Sequence, residues 1–219
     1  MENISFGDLW GAMIEAIRSD VGYFLAFIAL LAGIWIANDM LMPQSIFAGS
    51  VGGAIVNLVG QSLLIRRYFE RKGVATSASL ADGRYMSIFG VSILTGFGIM
   101  AGMILLIIPG LILATRWFLS VPVLFAEQAA VTESMSSSWH ITAPHAFVIF
   151  GLVIVISLPL LVAAIFLFAL TDADNMLSPL QSLTINVGIA TTTVAGWLGA
   201  ASSYYVIKGG AEQASEIFA

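Results

Sequence analysis

From Tyr85 to Ala126 the chain runs for 42 residues with one charged side chain, Arg116. As a single helix this stretch would be about 60 Å long at 1.5 Å per residue, twice the hydrocarbon thickness of a bilayer. It is too apolar to face water and too long for one crossing, so it must fold back on itself. Pro109-Gly110 is the turn signal inside it. The expectation is a tight hairpin of two membrane helices, with everything else arranged around it.

The remainder of the chain supports the same solvent. A hydrophobic fraction of 59% and a charged fraction of 10% leave too few polar side chains to cover a globule of 219 residues. Six apolar segments meet the requirement of roughly 20 residues per span. They lie at about Val21–Leu41, Ile46–Ile65, Tyr85–Ile108, Gly110–Ala126, Ala146–Leu170 and Leu183–Ile207. The predicted fold class is therefore all-α, a polytopic integral membrane protein forming one membrane domain over residues 1–219. Before the first span, Ile4, Phe6, Leu9, Trp10, Met13, Ile14 and Ile17 recur at helical spacing, with Ser5 and Asp8 at capping-box distance. This amphipathic helix, residues 4–18, is too short and polar to span. It carries Asp8, Glu15 and Asp20 against Arg18, whereas helices that bind anionic lipid are basic. Packing against the protein's own cytoplasmic face is favoured over lying on lipid.

Positive charge sets the orientation. Arg66, Arg67, Arg71, Lys72 and Arg84 fall between the second and third segments; Arg18 precedes the first and Lys208 follows the last. With six spans all seven lie on one side, which is then cytoplasmic, and the opposite loops carry Asp39, Asp172 and Asp174. Both termini are expected inside a bacterial cytoplasmic (inner) membrane. Glycine and amide residues suggest that the second, third and sixth segments pack inside the bundle: Gly53, Asn57, Gly60 and Gln61, then Gly98 and Gly102, then Asn186, Gly188 and Gly199. The fifth, apolar apart from Ser157 and kinked by Pro159, is expected at the edge.

Composition also excludes chemistry. With no cysteine there are no disulfides, thiolate metal sites or cysteine nucleophiles. Two histidines, His140 and His145, are too few for a histidine metal cluster, and no cofactor or metal is expected. The N-terminus is acidic, unlike a secretory signal peptide. A net charge of −5 argues against nucleic acid as a partner. No nucleophile triad, zinc helix motif or phosphate loop occurs. Arg116 is the one charge placed within hydrocarbon, about 9 Å below the periplasmic end of its helix, and intramembrane arginines mark function or a paired site. Asp39 is its expected partner, with Asp172 or Asp174 behind it. Arg116, Asp39, Asn57, Gln61 and Asn186 form a candidate intramembrane polar site. Glu127, Glu133, Ser138 and Trp139 form a candidate motif at the cytoplasmic interface, with Trp139 at headgroup level.

The stretch from Pro109 to Trp139 also resembles a family of six-span bacterial inner-membrane proteins, the YciC-like proteins and the membrane domain attached to some glycerophosphodiester phosphodiesterases. The resemblance rests on Pro109-Gly110, Arg116, Pro122, Glu127, Glu133 and Ser138-Trp139, and it extends over roughly residues 45 to 150. The chain departs from the pattern in having Ser136, Ser137 and His140 around the Ser-Trp pair instead of basic residues, and in lacking a phosphodiesterase domain. What the resemblance implies is an inner-membrane topology with no defined reaction. The expected role is non-catalytic, an accessory or membrane-organising protein working through lipid and helix contacts. Expected partners are membrane lipids, with a second copy or another membrane protein as further candidates. A small transporter with a site near Arg116 is the alternative, and a membrane-embedded lipid enzyme using Glu127 and a histidine is the third.

Overall fold

The computed structural model describes the backbone of residues 4–41, 46–74, 85–170 and 178–217, and side chains within 4–40, 53–74, 85–169 and 178–209. Arg84, Asp172 and Asp174 lie outside the described residues, as do the side chains of the first turns of the second segment. Described residues form helices and the turns between them. These are α1 Phe6–Ser19, α2 Val21–Leu41, α3 Ile46–Arg71, α4 Tyr85–Leu105, α5 Ile107–Arg116, α6 Ser120–Ala126, α7 Val131–Thr142, α8 Ala146–Leu170 and α9 Pro179–Ile217. A short 3-10 turn, Ala143–His145, joins α7 to α8. Five stretches of the described chain are long and apolar enough to cross a membrane: Val21–Met40, Tyr85–Leu105, Ile107–Ala126, Val131–Ala169 and Pro179–Gly209.

The centre of the bundle is α9, which packs against α8, α2, α1 and α3. Small residues make this possible. A Cβ on Gly188 would lie 2.6 Å from the Ala163 methyl and 3.0 Å from the Pro159 carbonyl, and one on Gly199 would meet Ile156 and Met13. Gly60 admits Phe27 and Trp197, whose rings meet edge to face. Pro159 has no N–H to give α8, and the amide of the next residue, Leu160, donates to Thr192 Oγ1 of α9 at 3.2 Å. The proline site is thus stitched to the neighbouring helix, while Ile154, Leu161, Ile165 and Phe168 face outward, in keeping with an edge position for α8.

Two expectations are corrected here. The hairpin exists, but its turn is the single residue Leu106, with φ −161° and ψ 137°, and not Pro109-Gly110. Proline is compatible with the first turn of a helix, where its missing N–H has no intrahelical partner, so Pro109 sits inside α5. Gly110 instead lets the arms touch: a Cβ there would lie 2.7 Å from the Met103 amide nitrogen. The second correction concerns α4, which lies at the periphery and not inside. Its Gly98 and Gly102 face Trp117 and Gly110 of the returning arm, while Met86, Phe97, Ile104 and Leu105 are exposed.

The amphipathic helix packs on protein. Leu9, Met13 and Ala16 are buried against the bundle, and Ser5 and Asp8 form the capping box. At its end Asp20 accepts from Arg67 Nε and Arg71 Nη1, both at 2.9 Å, and Glu15 accepts from Lys72 Nζ at 2.8 Å. This charged belt ties α1 and α2 to the basic end of α3. From Asp20 to Asp39 along α2 is about 28 Å at 1.5 Å per residue, close to the thickness of a hydrocarbon core.

Candidate functional site

Helix α5 ends at Arg116 because the chain turns through Trp117, Phe118 and Leu119 before α6 begins. The break strands backbone groups that a continuous helix would pair. Two side chains of α7 repair it. Ser138 Oγ donates to the Arg116 carbonyl at 2.7 Å and accepts from the Leu119 amide at 3.2 Å, and Thr142 Oγ1 also donates to the Arg116 carbonyl at 3.2 Å. Ser138 and Thr142 are fully buried. The guanidinium of Arg116 lies 5.2 Å from the centroid of the Trp139 ring, a cation–π arrangement. Its Nη1 is buried with no hydrogen-bond partner, as is Ser120 Oγ one turn further on.

The expected pairing of Arg116 with Asp39 is therefore not present. Asp39 Oδ2 instead accepts from Ser182 Oγ at 2.6 Å and Asn186 Nδ2 at 2.7 Å, joining α2 to α9. The reason is geometric. The break at 117–119 is bridged by α7, whose Ser138 and Thr142 bond the end of α5, so Arg116 meets Trp139 and not the Asp39 end of α2. Of the expected intramembrane set, Asp39 and Asn186 come together, while Asn57 and Gln61 are half-buried on α3. The structure also unites residues that sequence placed on opposite sides, Arg116 and the Ser138-Trp139 pair.

The interfacial motif is built around Glu127, which follows the last residue of α6. Glu127 Oε1 accepts from Lys208 Nζ at 2.8 Å and from Tyr204 Oη at 3.1 Å, and Oε2 accepts from Ser137 Oγ at 3.1 Å. Three helices thus converge on one carboxylate: α6, α7 and α9. Gln128, next in the chain, adopts φ 54°, which turns the chain sharply toward α7. Glu133 caps α7 by accepting from the Ala130 amide at 3.1 Å. Tyr204, Lys208, Ser137 and Ser182 are site residues that sequence reading missed; Lys208 served there only to set orientation. His140 is exposed and His145 half-buried, on either side of Ala143-Pro144.

Burial pushes the Glu127 carboxyl up, but the Lys208 ammonium and the hydroxyls of Tyr204 and Ser137 outweigh it, leaving the carboxyl below its ordinary value of 4.5. A lowered folded pKa means that this contribution is present above the ordinary value and is lost as pH falls through the folded one. Thermal midpoints in detergent are expected to drop as pH is lowered below 4.5, and Glu127→Gln should lose part of that dependence. An identical acid slope in the variant would show that Glu127 does not contribute.

As chemistry, the arrangement offers one arginine on a tryptophan, one carboxylate neutralised by lysine, and hydroxyls committed to backbone repair. Among the described residues, grooves open to the surface beside Tyr23 and Arg67, along α1 from Trp10 to Arg18, and beside Trp117 and Trp139. These grooves are not lined by Arg116, Asn57, Gln61 or Asn186. Comparison of the chain with models of protein families, with curated proteins and with solved structures finds no match.

Proposed function

We propose that this chain is a non-catalytic protein of a bacterial inner membrane, with six helical passages and both termini cytoplasmic, and that it acts as an accessory or membrane-organising component through lipid and helix contacts. The observation that carries this reading is that the polar clusters of the described residues are spent largely on holding helices together. Asp39, Ser182 and Asn186 bind one another; Glu127 is occupied by Lys208, Tyr204 and Ser137; Ser138 and Thr142 mend a backbone break. Gly60, Gly188 and Gly199 pack their helix interfaces closely, which argues against a transport path. The clustering of Arg66, Arg67, Arg71 and Lys72 at one end of α3 supports a cytoplasmic assignment for that end. The resemblance of Pro109–Trp139 to the YciC-like proteins is in keeping with the same topology.

Native mass spectrometry from mild detergent is the test of role. Retained phospholipid or a co-purifying membrane subunit is expected; a stoichiometric small solute would favour transport instead. A reporter fused after Ala219 should be active only in the cytoplasm, and periplasmic activity would overturn the topology.

A further inference from the structure

We propose that the groove between α2 and α3 at their basic end holds the phosphodiester headgroup and upper acyl chain of an anionic glycerophospholipid. The inference rests on reading the protein as a membrane bundle with that end at the cytoplasmic surface, and it gives the lipid contacts of that reading a definite site and ligand.

The first observation is the order of chemistry along the groove, a cavity of about 270 Å³. The guanidinium carbon of Arg67 lies 4.0 Å from the centre of the Tyr23 ring, and further along α2 Phe27 packs at Gly60, so the two helices run antiparallel beside it. Arg66, Arg67 and Glu70 line its outer end, and Phe27, Leu63 and Leu64 its inner end. From Glu70 to Leu63 is about 10 Å along α3 at 1.5 Å per residue. A glycerophospholipid presents the same sequence, charge first and hydrocarbon next. Tyr23, exposed, stands between the two zones, where aromatic side chains favour the headgroup boundary.

The second observation is depth and continuation. Asp20, bonded to Arg67, starts the stretch of about 28 Å to Asp39 that matches a hydrocarbon core. The cations of the groove therefore sit at headgroup level, with Leu63 about one helical turn inside. Inward of Leu63, Val59 and Ile55 follow at four-residue spacing, and all three are exposed. Residues so spaced share one face of a helix, so the groove opens onto an apolar track for the rest of an acyl chain.

The third observation is charge. Arg66 pairs with Glu70, Arg67 and Arg71 share Asp20, and Lys72 pairs with Glu15, so four cations meet three carboxylates. One positive charge is left over, the complement of a single phosphodiester. Arg66 and Arg67 bond their carboxylates through Nε, one of the five N–H donors each guanidinium carries. The Nη groups form the fork that suits a phosphate. Glu70 is the one anion among the described residues lining the groove. Its pair with Arg66 lies near the surface within a single helical turn, so a phosphate can displace it at little cost.

Delipidated protein in mild detergent would be titrated with dioleoyl phosphatidylglycerol and with dioleoyl phosphatidylcholine, which share chains and differ in headgroup, and the first bound lipid read by native mass spectrometry. Phosphatidylglycerol should bind about five-fold more tightly, the ratio one arginine supplies near a membrane surface. Arg66→Gln should bring the ratio near one with the thermal midpoint little changed. Glu70→Gln should raise it, since the competing anion is gone. Arg18→Gln deletes an equal charge from the last turn of α1, outside the groove, and should leave the ratio as it was. Equal losses in the Arg18 and Arg66 variants would reduce the effect to diffuse attraction by a basic surface and overturn the site. So would equal binding of the two lipids by the native chain, which leaves the lipid-contact reading standing. Failure to bind either lipid would overturn that reading itself. Dimerisation that excludes lipid would assign the groove to a second copy and overturn the proposal as well.

Discussion

Replacing Gly188 with alanine should cost about 1–3 kcal/mol, the range for adding a methyl group to a closely packed interface. The added Cβ would fall 2.6 Å from the Ala163 methyl and 3.0 Å from the Pro159 carbonyl. The second neighbour decides the sign, because it is backbone and cannot rotate away. Moving it would also disturb the Leu160 N–H to Thr192 bond one residue on. Leucine should be worse, and α8 should separate from α9. Thermal or denaturant midpoints in detergent would measure this. Gly196, whose Cβ would meet nothing within 4 Å, is the matched control and should accept alanine with little change or a small gain in helix propensity. Equal losses at 188 and 196 would refute the packing argument.

The second large effect is expected at Asp39. Alanine removes the acceptor for two buried donors at once, the Ser182 hydroxyl and the Asn186 amide. An orphaned buried donor costs about 1–3 kcal/mol; Asn186 keeps a fallback to Ser182 Oγ at 3.2 Å, so the sum should be about 2 kcal/mol and not the full double penalty. Asp39→Asn retains a carbonyl oxygen in the same place and should lose under about 1 kcal/mol. The contrast carries the argument. If asparagine is as damaging as alanine, the negative charge itself matters, and an unseen cation must be sought near this end of the bundle. A double variant with Asn186→Leu should recover part of the alanine loss, since one of the stranded donors is then gone.

Much of the architecture was legible from residue order. The length of Tyr85–Ala126 forced a hairpin, the spacing of Leu9 and Met13 marked α1, and the gathering of Arg66, Arg67, Arg71 and Lys72 after the second segment, with no cation beside Asp39, pointed to a polar axis. The turn position was misread because Pro109 suits both a loop and a helix first turn. Arg116 was misplaced for a different reason. Nothing in Trp117-Phe118-Leu119 announces a helix break, having no glycine, proline or asparagine, and without that break α7 cannot be brought beside Arg116. The partners of Asp39 and Glu127 lie 147 and 81 residues away, at Asn186 and Lys208. Such pairings depend on the relative heights of helices, which periodicity within a single segment does not encode. The small-residue pattern of α4 indicated close packing correctly but not which neighbour would use it.

Helix α9 has no proline after its first residue, Pro179, and runs unbroken to Ile217. It holds Asn186 against Asp39 near one end and Lys208 against Glu127 near the other. The two polar anchors are therefore fixed on one stiff rod and cannot be released independently. Sliding α9 by a helical turn, about 5.4 Å, would break both together. Mechanically this makes α9 a tie-bar: a displacement of one anchor along the helix axis is carried to the other.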